Sequence, residues 1–165
     1  MAHPDSPPHL VYLHVGEEEE TRGEQRLAAQ LGIADRTHFL GRRHPLQALH
    51  AADVFVMPSV YEGLGIAAVE ALATGLPVVL ADVPGLRDMA RISPAALLTD
   101  TTPQDLLAAI VGAAGSTKRS SWASPHVAAL RAQFGMARGV AHYARLYHQL
   151  AGSRVVRAAR SSACG

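Results

Sequence analysis

Apolar residues in this chain fall in short runs, and the runs alternate with stretches that carry apolar residues at helical spacing. Leu10 to Val15 is the first run; it reads as a buried strand closed by Gly16. Glu17 to Glu20 then open a predicted helix that reaches about Leu31, with Leu27, Ala28 and Leu31 on one face. Acids in a first turn suit the positive end of the helix dipole. Gly32 ends that helix, and Thr37 to Leu40 read as a short strand stopped by Gly41. Leu46 to Ala52 supply one or two helical turns before the next apolar strand, Asp53 to Met57. Pro58 ends this strand, since proline fixes φ and offers no ladder N–H.

A loop with Tyr61, Glu62, Gly63 and Gly65 leads into a predicted helix from Ile66 to Thr74, ended by Gly75 and Pro77. Val78 to Ala81 form the next strand. Asp82 to Asp88, containing Pro84 and Gly85, reads as a loop, and Ala95 to Leu98 as a short strand. Thr102 as N-cap, Pro103 at the first position and Asp105 at the third open a helix to about Ala114. Gly115 to Pro125 is a polar linker in which Trp122 is expected to anchor on the domain. The last helix runs from about His126 to Leu150, weakened near Gly135 and Gly139. Its Tyr143, Leu146, Tyr147 and Leu150 mark a face that should pack on a neighbour.

Strands and helices alternating at this spacing form βαβ units, hence an α/β fold: a Rossmann-like parallel sheet flanked by helices, with right-handed crossovers. No internal repeat is visible. The expected organisation is a disordered Pro-rich segment over residues 1–9, one domain over 10–151, and a flexible basic tail over 152–165 carrying Arg154, Arg157 and Arg160.

Composition narrows the function. The 165 residues suffice for one domain, 48% of them are hydrophobic and 18% charged, and the formal net charge is +1. Nothing in that balance steers the chain to nucleic acid. Cys164 is the only cysteine, which excludes a disulfide framework or a Cys-based zinc site within the chain. The nine histidines are scattered without an H-x-x-x-H pair, and only His44 and His50 fall near each other in a loop-to-helix segment, so no metal site is expected. His14 reads as a core histidine of its strand, and Tyr61 as a residue packed under its loop. No run approaches the roughly 20 apolar residues of a membrane span, and Met1 to Pro8 does not resemble a signal peptide. The chain is expected in the cytoplasm. Attachment of the basic tail to an anionic membrane surface or an acidic partner is the alternative to a solvated tail.

In open parallel sheets a ligand sits beyond the carboxyl ends of the strands. The loops that leave strand ends are Gly16-Glu17, Gly41-Arg42, Ser59 to Gly65, and Asp82 to Gly85. Gly63 to Gly65 lie at a helix N-terminus, where free N–H groups and the helix dipole favour an anion. The dinucleotide pattern G-x-G-x-x-G and the Walker pattern G-x-x-x-x-G-K-[ST] are both absent, which argues against NAD and P-loop chemistry. Carboxylates accept paired hydrogen bonds from vicinal diols. Glu62 and Glu70, on either side of the anion corner, thus suit a nucleoside-diphosphate sugar; spacing alone favours the plainer reading of Glu62 as a loop acid and Glu70 as a helix-surface acid.

Pro58-Ser59, Glu62-Gly63-Leu64-Gly65, Val69-Glu70-Ala71 and Gly75-Leu76-Pro77-Val78-Val79 closely resemble the signature of glycosyltransferase family 4. That family retains anomeric configuration and is built on the GT-B fold. Its E-x7-E hallmark is matched by Glu62 and Glu70. Val15-Gly16, Phe39-Leu40-Gly41, Ala51-Ala52-Asp53-Val54 and the helix with Tyr143 and Tyr147 extend the similarity from Leu10 to Leu150. The resemblance implies the C-terminal, donor-binding half of a GT-B fold. It implies that Glu70 binds ribose hydroxyls and that Glu62, as the catalytic residue, binds those of the transferred sugar. Gly63 lies in the same loop, the amides of Leu64 and Gly65 hold the distal phosphate, Gly41 and Arg42 edge the base, and Gly16 lets the donor approach. No metal and no cofactor beyond the sugar donor is implied.

Two departures follow from the same comparison. The family's acceptor domain, and the strand and loop that usually carry an Arg and a Lys for the diphosphate, have no counterpart in the sequence. Arg42, Arg43 and Arg87 lie in suitable loops, though none at that family position, and Asp88 stands where Glu is more usual. The isolated chain is therefore expected to be inactive and to need a half supplied by a separate chain. An inactive nucleotide-sugar-binding or interaction module stands beside this reading, and a GT-B-type epimerase or phosphorylase behind it.

Overall fold

The computed structural model describes residues 7–17, 22–116 and 124–162. Trp122, Glu18 to Glu20 and Cys164 lie outside them. Five strands alternate with helices: β1 (Tyr12–His14), α1 (Gly23–Gln30), β2 (Thr37–Phe39), α2 (Leu46–Ala51), β3 (Phe55–Met57), α3 (Ile66–Ala73), β4 (Val78–Ala81), α4 (Pro84–Ile92), β5 (Ala96–Thr99), α5 (Pro103–Ser116), α6 (Pro125–Phe134) and α7 (Met136–Ser162).

All strand pairs are parallel, in two ladders rather than the single sheet expected. β1 pairs with β2 in the register Tyr12 with Thr37, and the order β3-β4-β5 places Phe55 against Val78 and Val78 against Ala96. All four residues of β4 are buried, as suits the middle strand of a parallel sheet covered on both faces. Its continuous Val-Val-Leu-Ala run is the sequence counterpart of that burial. The core gathers Leu76, Val78 and Leu80 with Ala68, Ala71 and Leu72 of α3, Leu86 and Met89 of α4, and Leu130 of α6. α5 lies against β4 and β5, while α6 lies against α3.

Several local expectations are corrected. α1 begins at Gly23, not at Glu17, behind Arg22 in the left-handed conformation (φ 48°). Glu17 is instead in the loop, paired with Arg42. Pro7 to His9 form a turn closed by Leu10 N–H to the Pro7 carbonyl at 3.1 Å and held by Arg36 at the Pro8 carbonyl. The segment read as a loop from Asp82 to Asp88 opens α4, with Pro84 in its first turn. Proline suits that place, because its missing N–H would have had no partner there. Gly135 splits the last helix into α6 and α7, Gly139 stays helical, and the α7 backbone continues past Gly152 to Ser162. Every described side chain from Met136 to Ala151 is exposed, so nothing among the described residues covers the Tyr143–Leu150 face. Among those residues no helix is long and apolar enough to cross a membrane.

Candidate functional site

The loops at the carboxyl ends of β1 and β2 meet directly. The Gly16 N–H donates to the Gly41 carbonyl at 3.1 Å. One residue on, Arg42 Nη1 donates to Glu17 Oε1 at 3.2 Å. Both side chains are exposed, so the pair contributes little stability by itself. Its effect is on position, since it spends the Arg42 guanidinium on a carboxylate. Arg43 turns back and donates to the Leu40 carbonyl at 3.0 Å, and His44 Nδ1 accepts the Leu46 N–H at 3.3 Å at the start of α2.

Beyond β3 the chain runs from Pro58 through the Ser59 to Gly65 loop. Gly65 is the N-cap of α3 and has φ 69°, a left-handed conformation that glycine adopts without strain. No side chain caps α3, so its first-turn N–H groups are not satisfied by a cap and face the loop. Glu62 is half-buried, and its Oε1 accepts the Gly63 N–H at 3.0 Å. Tyr61 is 90% exposed, which overturns its expected place under the loop. The reason is the floor of that loop, already filled by the first turn of α4.

Glu70 projects from the second turn of α3 into a cavity of about 230 Å³ lined by His44, Pro45, Leu46 and Leu49 at one wall and by Ala73, Thr74 and Arg131 at the other. Gly16, Gly41, Arg42 and Glu62 to Gly65 do not line this cavity, which lies toward the C-terminal end of α3. The structure brings Glu62 together with Gly63, Leu64 and Gly65 at the start of that helix. Arg131 was missed from sequence. It comes from α6 and donates Nε to the Ala73 carbonyl at 3.2 Å, near the end of the helix that carries Glu70. Its only sequence signal is a basic residue in a last turn.

On the far side of the loop, Arg87 donates Nε to Asp82 Oδ1 at 2.6 Å, and that hydrogen bond, with the Asp82 charge, holds the guanidinium above its ordinary pKa. His14 lies against Phe39, with ring centroids 5.5 Å apart, and its Nε2 is 3.6 Å from Glu24 Oε2. Its buried Nδ1 has no partner among the described residues. Among those residues, no three His, Cys, Asp or Glu side chains converge as a metal site would require.

A parallel α/β domain with a glycine-cornered loop at a helix start, and carboxylates seven residues apart in intervening sequence, has the architecture of a GT-B glycosyltransferase domain. The model described as "Glycosyl transferases group 1" matches residues 4–115, and the chain belongs to that family. Among curated relatives, the D-inositol 3-phosphate glycosyltransferase of Geodermatophilus obscurus is 47% identical over 96 residues, 56% of this chain and 21% of that protein. The enzyme of the same name from Streptomyces griseus is 51% identical over 67 residues, 39% of this chain and 14% of that protein. The matches thus span about a fifth or less of these relatives' length. Among solved structures, Anabaena HepE in complex with UDP and glucose, and with UDP-glucose, superposes with a TM-score of 0.71 in both cases. The identities are 24% and 25%, over 87% of this chain and 42% of HepE.

Proposed function

We propose that this chain is the donor-binding part of a glycosyltransferase that moves a hexose from a nucleoside-diphosphate sugar to a hydroxyl acceptor with retention of configuration. The observation that carries the reading is the start of α3, where Gly65 stands at the N-cap with no side chain capping it, Glu62 Oε1 accepts the Gly63 N–H, and Glu70 follows in the second turn of the same helix. Glu70 binds the ribose hydroxyls, and Gly41 and Arg42 border the base. Gly16 leaves room beside them for the donor. Glu62 holds hydroxyls of the transferred sugar. The Leu64 and Gly65 amides hold the distal phosphate as the bond from the anomeric carbon to the phosphate oxygen breaks. Fixed N–H groups aimed at the developing charge need no reorganisation in the transition state, which is why such a corner can stabilise a departing diphosphate.

The reading needs a second half. A transferase site closes between donor and acceptor domains and excludes water, and the acceptor half is assigned to polypeptide outside these 165 residues or to a separate chain. Transfer by this chain alone is expected to be negligible. A binding module without turnover is the second reading. It is favoured by the cations around the loop: Arg42, Arg43 and Arg87 already bond to Glu17, the Leu40 carbonyl and Asp82.

Calorimetric titration with UDP tests the site. Glu70→Ala should weaken binding by about tenfold, the loss of a hydrogen bond to a charged group. Equal titration of wild type and variant removes Glu70 from the site. Transfer of radiolabelled sugar at ordinary enzymatic rates by the chain alone would show that the second half is dispensable.

A further inference from the structure

The Ser59 to Gly65 loop rests on the first turn of α4, and the clearance there is zero at one residue. An ideal Cβ built on Gly85 would overlap the Glu62 carbonyl oxygen and lie 2.6 Å from the Gly63 carbonyl oxygen and 2.7 Å from the Glu62 carbonyl carbon. Real Cβ atoms do not make such contacts, and the atoms met are backbone, so they cannot swing aside as a side chain would. Gly85 is not among the glycines with positive φ. Its backbone would accept any residue, and what the site requires is the missing side chain.

A second contact stands beside the first. Leu86 is fully buried, and its Cδ2 would lie 2.5 Å from a Cβ on Gly65. Glycine at 65 therefore meets a leucine of α4, just as glycine at 85 meets the peptide between Glu62 and Gly63. The turn is itself held in shape. Leu86 N–H and Arg87 N–H both donate to the Val83 carbonyl at 3.0 and 3.1 Å, and Arg87 Nε bonds Asp82.

We infer that Gly85 and Leu86 are positioning residues for the donor site: the first turn of α4 is the seat that sets where the Gly63, Leu64 and Gly65 amides point. This rests on the donor reading above, because those amides are the groups assigned to the phosphate. The chemistry explains the need for a rigid seat. N–H groups stabilise an oxyanion only at hydrogen-bonding distance from the place it occupies, and a misplacement of about 1 Å is enough to lose much of the effect. A loop of this glycine content has no side-chain packing of its own to hold such a direction, so the neighbouring helix supplies it.

The test is amide NMR of the ¹⁵N-labelled chain with UDP as the probe. In Gly85→Ala the resonances of Gly63, Leu64 and Gly65 should move in the free protein, while those of Val79 in β4 and Leu97 in β5 stay in place. The UDP affinity should fall by about tenfold or more. Gly139→Ala, where a Cβ meets nothing within 4 Å, is the control and should leave both unchanged. If Gly85→Ala does not fold, Leu86→Val carries the same test, since it withdraws the contact to Gly65 without adding an atom. Unmoved Gly63 to Gly65 resonances, or UDP affinity equal to wild type in a variant whose loop has moved, overturn the inference. Wild-type protein that gives no response to UDP overturns the donor reading instead, and the loop resonances of the free variant still decide whether α4 seats the loop.

Discussion

Gly16 donates its N–H to the Gly41 carbonyl at 3.1 Å, and this one bond ties together two strand-end loops separated by a whole helix in sequence. Gly41 has φ 67° and open space where a Cβ would go. Gly41→Ala is therefore a test of backbone conformation alone. It should lower unfolding free energy by about 1 kcal/mol or more, the cost of forcing a side chain into the left-handed region. Gly139→Ala, helical and equally open, should instead raise stability by about 0.5–1 kcal/mol. Urea denaturation of both variants gives the two signs side by side.

Leu130 joins α6 to the core from the side that bears on α3, and it is 1% exposed. Leu130→Ala should destabilise the fold by about 2–5 kcal/mol, through lost burial and an incompletely closed cavity. Chemical denaturation measures this directly.

The start of α5 closes a reciprocal cap. The Asp105 N–H donates to Thr102 Oγ1 at 3.2 Å, and the Thr102 hydroxyl donates to Asp105 Oδ2 at 2.5 Å. Thr102→Ala should cost about 1 kcal/mol, while Thr102→Ser should cost much less because it keeps the hydroxyl. Thermal melts of the two variants distinguish loss of the cap from loss of the methyl.

Tyr12 sits in β1 with its phenol raised above the usual 10.0, first because burial disfavours the phenolate and then because Glu24 repels it. An acid with a raised pKa in the folded state ionises more readily when unfolded. Its contribution is thus complete below pH 10 and is lost as pH climbs through the folded value. Stability should fall in that range for wild type, and Tyr12→Phe should flatten this part of the profile. Denaturation midpoints recorded from pH 8 upward would show no difference between the two if Tyr12 titrated normally.

Much of this architecture was legible as local pattern. The strands are short apolar runs between glycines and prolines, and β4 reads off Val78 to Ala81 without error because burial on both faces leaves no polar position. The errors fall where one residue type serves two purposes. Pro84 and Gly85 look like turn residues, yet Pro84 starts α4, and Gly85 is small because a carbonyl from another loop lies against it. Leu86, Met89 and Ala90 carried the helical spacing that would have corrected the reading. In the site, Glu62, Glu70 and the glycine corner were visible as a linear motif. The Gly16–Gly41 bond, the Arg42–Glu17 pair and the Arg131 contact to Ala73 were not, since each joins segments far apart in sequence and none follows from local propensity. The apolar face of α7 was also visible, but whether something covers it is a tertiary fact.

No strand is shared between the β1–β2 ladder and the β3–β4–β5 ladder. Each parallel pair closes over a single crossover, so order in one ladder is not transmitted to the other by hydrogen bonds across a common strand. The two should behave as separate cooperative units under conditions short of global unfolding. Amides of β4 would exchange only when the larger unit opens, while those of β1 and β2 would exchange through a cheaper, local event. A ligand gripped by Glu70 on one unit and by the Gly41 loop on the other would fuse them. Donor binding would then register as slower exchange in β1 and β2, at residues the ligand never touches.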